Sequence, residues 1–426
     1  MKTLVALLSV SFLVAPLALA QDPVDPAKAA LDSITADELV EHIRFLASDE
    51  LEGRDSGSEG ERKAREYAAE RFRALALAPA GEEGGWFQPF QIEGTTAHNV
   101  AALLEGADPA RKDEVVVLGA HYDHVGLGFY GSTWGPAGSG KIHNGADDNA
   151  SGTSAVLEIA EAFVEGKVRP GRSVLFLLFS GEERGLLGSQ HFALHPTVDL
   201  PKVVAMVNLD MVGRGTGTGR FMVNGTRTSP GFPKLVRETN ERFGYDLDEL
   251  PFGFAPSDNT SFYRKEIPVL FLTTGSHPEY HNPDDDVELI NGENCAATSR
   301  FAFELVRRIA DAQKRPRFQW AELQPRSYLD ALRWLADEAL APEAKPWLGV
   351  TLGGGLAVES VVPGSPAEKG GLTAGDVLVR IGDRELATGR DLRRAIEEKR
   401  PGDEVEIVVR RGGEERTLTV RLGEKP

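Results

Sequence analysis

The chain has 426 residues, more than one average domain, and its 41% apolar content is ample for a packed core. Its 65 acidic residues outnumber 47 basic ones, giving a formal charge of −18. That balance excludes nucleic-acid binding through basic patches, and a single cysteine, Cys295, excludes an internal disulfide framework.

In chain order, Met1-Lys2 and the apolar run from Thr3 to Ala15 read as a secretory signal. Ala18-Leu-Ala20 is its small-residue cleavage site, which makes Gln21 the expected mature start and the periplasm or exterior the expected location. The run is short for a membrane span, and no later stretch is long enough for one, so no anchor is expected after cleavage. Residues 21–34 are rich in Pro, Asp and Ala and read as loose. Thr35-Ala-Asp-Glu38 reads as a capping box opening a helix through Leu39, Ile43, Phe45 and Leu46. A second helix is expected over Glu59 to Leu77, then strands over Phe87–Ile92 and Asn99–Leu104.

Glu114–Leu118 reads as a buried parallel strand leading into Gly119-Ala-His-Tyr-Asp123. Asn144-Gly-Ala-Asp-Asp-Asn-Ala-Ser-Gly152 precedes a helical run over Ala155–Ala160, with Ser151 as its expected cap. Ser173–Phe179 is a nearly all-apolar strand ending at Ser180-Gly-Glu182-Glu183, which turns into another helix. Val203–Asp210 and Ile267–Thr274 are further strands, a helix starts at Phe232, and Ala296–Ala312 closes the unit as a helix. Strands alternating with helices predict an α/β fold with a mainly parallel mixed sheet sandwiched by helices. Gln313 to Pro346 reads as a linker with a short helix over Tyr328–Leu335, and a small β-rich domain is expected over 347–426.

The strand ends carry the chemistry, as open α/β sheets place it. His121 with Asp123, Asp147 with Asp148, Glu182 with Glu183, and Asp210 stand at four successive ends, and His281 stands on a fifth loop. So many acidic groups in one place need a cation. Imidazole with carboxylate is the donor set of hydrolytic zinc sites, and the excess of carboxylates predicts two metals sharing one of them. Of the pair Glu182-Glu183, one can bind metal while the other stays free as general base.

These segments resemble the co-catalytic di-zinc aminopeptidases, peptidase family M-28, over roughly residues 35–312. The resemblance implies the zinc-exopeptidase (phosphorylase/hydrolase-like) fold and two Zn2+ per chain, with Co2+ or Mn2+ as substitutes. It implies that Asp147 bridges the metals, that His121 and Asp210 complete one site, and that Glu183 and His281 complete the other. Glu182 would be the general base, Asp123 would hold His121 through its second ring nitrogen, and Asp148 would follow a cis peptide. The substrates would be peptides, cut at the N-terminus.

Where relatives place a carbonyl-polarising Tyr, this chain has Phe254; Tyr280 or Tyr130 could substitute. The Gly-rich loop from Gly126 to Ile142 reads equally as a roof over the pocket or as a surface insertion. His124, His143, His191, His195 and His277 read as non-ligands, although His124 and His143 are near enough in sequence to line the pocket. Ser180 and Ser257 have no His-Asp partners for serine catalysis.

Trp347-Leu-Gly-Val-Thr-Leu352, Val361-Val-Pro-Gly-Ser-Pro-Ala367 and Gly371-Leu-Thr-Ala-Gly-Asp-Val-Leu378 resemble a bacterial PDZ domain of the HtrA protease type. The resemblance implies that Leu348, Gly349 and Val350 receive the C-terminal carboxylate of a peptide added as a strand, beside a helix over 389–398. Two other readings stand beside the aminopeptidase: a glutaminyl cyclase or carboxypeptidase-like relative on the same scaffold, and a PDZ-bearing binding protein with an inactive hydrolase body.

Overall fold

The computed structural model describes residues 25–321 and 346–424, apart from 353–355, 383, 387–390, 393–394, 397–398 and 400. The expected signal sequence and the expected linker helix over 328–335 lie outside the described residues. The chain divides into two units, residues 1–323 and 324–426.

The first unit is built on a mixed nine-stranded sheet: β1 (Ala78–Pro79), β2 (Phe87–Ile92), β3 (Thr95–Leu104), β4 (Val115–His121), β5 (Ser173–Phe179), β6 (Val203–Leu209), β7 (Arg220–Asn224), β8 (Asp246–Glu249) and β9 (Val269–Thr273). The strand order is β1-β3-β5-β4-β6-β9-β7-β8, with β2 paired to β3. Strands β5, β4, β6 and β9 run parallel, while β3 and β7 join them antiparallel. Every residue of these four parallel strands is buried, as expected of a parallel sheet covered on both faces.

Alternate strand residues divide between the two faces. Val116, Leu118, Val174, Phe176, Val207 and Leu270 share one core with helices α2 (Ala36–Leu46), α3 (Glu59–Ala74), α4 (Gly152–Glu165) and α8 (Gly292–Asp311). Val117, Leu175, Leu177 and Met206 face the other way, against Phe192 of α5 (Leu187–Leu194) and Phe262 of α7 (Asn259–Tyr263). Helix α6 (Phe232–Phe243) packs on α8.

Three expectations need correction. Residues 26–33 form a helix, α1 (Pro26–Ser33), because Asp25 caps the Ala27 amide and Ala30 and Leu31 are buried in the core that holds α4. Residues 313–321 are part of the first unit: Gln319 pairs with the Thr228 carbonyl, and Phe318 and Trp320 pack edge-on or tilted around the Tyr263 ring. Ser151 does not cap α4; its hydroxyl donates to the Asp147 carbonyl at 2.7 Å and accepts from the Val212 amide at 3.0 Å. Thr35 does cap α2, accepting the Glu38 amide on Oγ1 at 3.3 Å, but the Glu38 carboxylate accepts from the Thr35 hydroxyl at 2.6 Å and not from its amide.

The second unit contains a four-stranded antiparallel sheet around Val377–Ile381, Glu404–Arg411 and Glu414–Arg421. A two-stranded ladder pairs Val350–Leu352 with Val358–Val361. Leu348, Leu372, Leu378, Leu392, Ile407 and Val420 form its core. Asp391, Leu392, Ala395 and Ile396 are helical; the rest of the expected 389–398 helix lies outside the described residues. No described helix is long and apolar enough to cross a membrane.

Candidate metal centre

Parallel strands deliver their carboxyl ends to one edge, and there the sequence candidates meet. His121 is the last residue of β4; its Nε2 lies 3.2 Å from Asp148 Oδ1 and 3.4 Å from Asp210 Oδ1. On the far side of Asp148, His281 Nε2 lies 3.0 Å from Asp148 Oδ2 and 2.9 Å from Glu183 Oε2. Each oxygen of Asp148 therefore faces a different group of donors. His281 Nε2 and Asp210 Oδ1 are buried and make no hydrogen bond despite these short distances. Buried polar atoms left unpaired cost about 1–3 kcal/mol each, and a divalent cation satisfies imidazole and carboxylate together. The donor set fits such ions.

The carboxylate between the two histidines is Asp148, which corrects the expectation for Asp147. Asp147 Oδ1 accepts the Gly213 amide at 2.6 Å, and Oδ2 lies 3.4 Å from His277 Nε2, so this side chain holds the loop after β6. The turn over Ala146–Ser151, extended out of helical geometry at Asp148 and Asn149, is entered from Gly145 at φ +58. A Cβ at Gly145 would stand 2.2 Å from the Asp148 carbonyl and 2.5 Å from the His124 ring, so only glycine fits. The cis peptide is Asp148–Asn149, one bond later than expected.

Asp123 supports the site from behind. Its carbonyl accepts from His121 Nδ1 at 3.2 Å, and its carboxylate stands 3.7 Å from the same nitrogen. Asp123 Oδ1 also accepts the Glu182 amide at 3.2 Å, and Oδ2 accepts from Ser56 at 2.8 Å, so one side chain locates a histidine and a glutamate together.

Electrostatics separates the paired glutamates. Burial pushes the Glu182 carboxyl well above the usual carboxylate range, aided by Glu183 and Asp258 and opposed by His121. Burial and Asp148 also push Glu183 upward, but His281 and His124 outweigh them and hold it at about 2. Burial disfavours charge on His281, yet Glu183 and Asp148 raise it to about 11. Two adjacent residues thus carry opposite proton affinities.

Several participants, His124 apart, gave no signal in the sequence. Arg54 is fully buried and donates to the carbonyls of Leu46, Tyr122 at 2.9 Å, Asn144 at 2.6 Å and Gly145 at 3.0 Å, tying both ligand loops together. Asp285 Oδ2 accepts the amides of Asp147 and Asp148 at 2.9 and 3.1 Å, and its Oδ1 pairs with Arg214 at 2.8 Å. The Asp258 carboxyl is buried near His121 and pushed up to about 7, chiefly by burial. His124 meets Glu183 Oε1 through Nδ1 at 2.7 Å.

The Gly126–Ile142 loop is fastened to the site. Gly131 O accepts from His281 Nδ1 at 3.0 Å, and Thr133 donates through its amide to the His281 carbonyl at 2.9 Å. Arg184 stacks 3.5 Å over the Tyr130 ring and pairs with Asp55 at 3.2 Å. The Tyr130 hydroxyl is committed to Asp55 at 2.6 Å, which removes it as a carbonyl-polarising donor. Tyr280 stacks on the His281 ring at 3.8 Å, and Phe254 is half exposed against Tyr263.

Residues 99–306 match peptidase family M28, and residues 338–422 match the PDZ domain family. The chain carries an M28 peptidase domain. It is a peptide hydrolase with a C-terminal PDZ domain. A probable leucine aminopeptidase of Trichophyton verrucosum is 28% identical over 295 residues, 65% of this chain and 75% of that protein. BSAP, a zinc aminopeptidase from Bacillus subtilis, shares the fold with a TM-score of 0.53 and 19% identity, over 68% of this chain and 99% of BSAP. Porphyromonas gingivalis glutaminyl cyclase gives the same TM-score at 21% identity, over 64% of this chain and 97% of the cyclase.

In the PDZ domain, Leu348 is buried, Gly349 has φ +83, and a Cβ there would meet the Ser365 side chain at 2.3 Å. The Leu348 and Gly349 carbonyls accept the amides of Ala367 at 2.8 Å and Val362 at 2.9 Å. Asp376, from the Ala-Gly-Asp segment, is gripped by Arg411 at 2.6 and 2.8 Å.

Proposed function

We propose that the chain is an exported di-zinc aminopeptidase. One observation carries this reading: Asp148 turns its two oxygens toward two donor groups, each with its own histidine and carboxylate. One zinc would be held by His121, Asp148 and Asp210, the other by His281, Glu183 and Asp148. Zinc bound there supplies Lewis acidity for the scissile carbonyl and for the attacking water. Glu182, unpaired and high in proton affinity, takes the proton from that water and passes it to the departing amine. Asp123 fixes the Glu182 backbone and the His121 ring, and the Tyr280 hydroxyl is the remaining candidate donor to the carbonyl oxygen. Export follows from the Met1–Ala20 signal, and the PDZ domain would take the C-terminus of a peptide at Leu348-Gly349-Val350.

The test is a panel of aminoacyl amides and N-terminally acetylated controls offered to the zinc-loaded protein. Free-amine substrates should be cut and blocked ones spared; equal cutting of both would end the exopeptidase reading. A peptide starting with glutamine separates the cyclase alternative, which would close that residue into a ring and release ammonia instead of cutting a peptide bond.

A further inference from the structure

One donor at this centre belongs to no assigned role. His124 is fully buried beside the His281/Glu183 side of the site. Its Nδ1 lies 2.7 Å from Glu183 Oε1 and 3.9 Å from Asp148 Oδ2, the same oxygen that His281 Nε2 approaches at 3.0 Å. One donor atom from each of His124, Asp148, Glu183 and His281 falls within a 4.8 Å cluster. The two imidazoles meet edge to face, with centroids 5.4 Å apart. Four donors about 2.0–2.1 Å from one tetrahedral zinc stand about 3.3 Å from each other, and the observed separations bracket that value. Nε2 has no hydrogen-bond partner, so sterics set the ring: Gly145 lies against it with no room for a side chain. The His124 amide is held by the Arg54 carbonyl at 3.3 Å.

We propose that His124 is a fourth protein ligand of the ion shared by His281, Glu183 and Asp148. This assignment rests on the two-zinc reading above. It makes the pair unequal: the ion at His121, Asp148 and Asp210 has three protein donors and keeps an open position for water and substrate, whereas its neighbour is closed by four. Structural zinc sites are closed and catalytic ones keep a position open. The ion at His121 is then the one that engages water, and the His124 ion holds the bridging carboxylate in place.

X-ray absorption at the zinc edge tests this on the full chain. With two zinc ions bound, the wild type should show three imidazoles shared between them, and His124→Asn should show two. The variant should lose affinity for one ion by more than about 100-fold, beyond what loss of an outer partner produces, with the other ion unchanged. Two imidazoles in the wild type, or the same count in both proteins, would overturn the proposal and leave His124 a mere hydrogen-bond partner of Glu183. Should the protein hold a single zinc, the two-ion reading fails by itself, while the imidazole count on that ion still decides: two support His124 and one rejects it. If the variant does not fold, the wild-type count alone gives the answer.

Discussion

Asp148 stands between His121 and His281, with Oδ1 3.2 Å from the first ring and Oδ2 3.0 Å from the second. Its neighbour Asp147 points away and accepts the Gly213 amide. Substitution should therefore divide these two residues sharply. Asp148→Asn should release both metals and lower hydrolysis by at least about 1,000-fold. Asp147→Asn should keep both metals and lose about 1–2 kcal/mol of stability. Zinc content by atomic absorption alongside urea melts reads both; equal metal loss in the two variants would return Asp147 to the centre.

Glu182 should behave as a base and not as a ligand. Glu182→Gln should retain metal content and slow hydrolysis by about 100- to 10,000-fold. Metal loss without this kinetic collapse would move Glu182 into the ligand shell, beside the His121–Glu182–Glu183 cluster it also borders.

The Tyr130–Asp55–Arg184 clamp should govern how often the 126–142 loop opens. Tyr130→Phe removes the 2.6 Å hydrogen bond to Asp55, a loss of about 1 kcal/mol that corresponds to roughly five-fold more opening. Trypsin cutting after Lys141 in this loop should accelerate by that factor. An unchanged rate would mean that the contacts to His281 alone secure the loop.

Arg54 is the deepest of the supports. Arg54→Met would strand four carbonyls at once, three of them buried, and should cost about 3–5 kcal/mol. Arg54→Lys should be nearly as harmful, since one ammonium cannot span the same four acceptors. Denaturant midpoints measure this; a lysine variant as stable as wild type would refute it.

His98 sets a pH limit far from the chemistry. Its Nδ1 accepts from Arg65 at 2.8 Å, and burial with this cation lowers its pKa from 6.5 to about 4. Between those values the unfolded chain binds the proton and the folded chain refuses it. Stability from this group is thus complete above pH 6.5 and is lost as the pH falls toward 4. His98→Asn keeps an acceptor and cannot titrate, so its melting temperature should fall less than that of wild type between pH 7 and 4.5. Parallel curves would rule out this contribution.

Much of the site was legible because strands and ligands coincide in the sequence. Val115–His121 and Ser173–Phe179 are unbroken apolar runs with acidic or imidazole residues at or just beyond their ends, a pattern that local propensity and sheet topology both produce. The choice between Asp147 and Asp148 was not legible. It depends on a left-handed glycine and on Asp285, which arrives from 137 residues away to hold the turn. Arg54 escaped for the same reason: its partners are carbonyls, which leave no trace in residue identity. The edge strand β8 was missed because it is mostly exposed and carries no apolar run, and β7 because its apolar run is only Phe221-Met222-Val223. Helix α1 was missed because Pro and Asp suggest looseness, whereas here they open a helix.

The donors are scattered from His121 to His281: His121 and Asp148 come from β4 and the loop after it, and Glu183, Asp210 and His281 from the loops after β5, β6 and β9. No partial chain can bring all of these donors together before the segment carrying His281 is made. Any activity of this centre should therefore require β5, β4, β6 and β9 to be joined in one sheet.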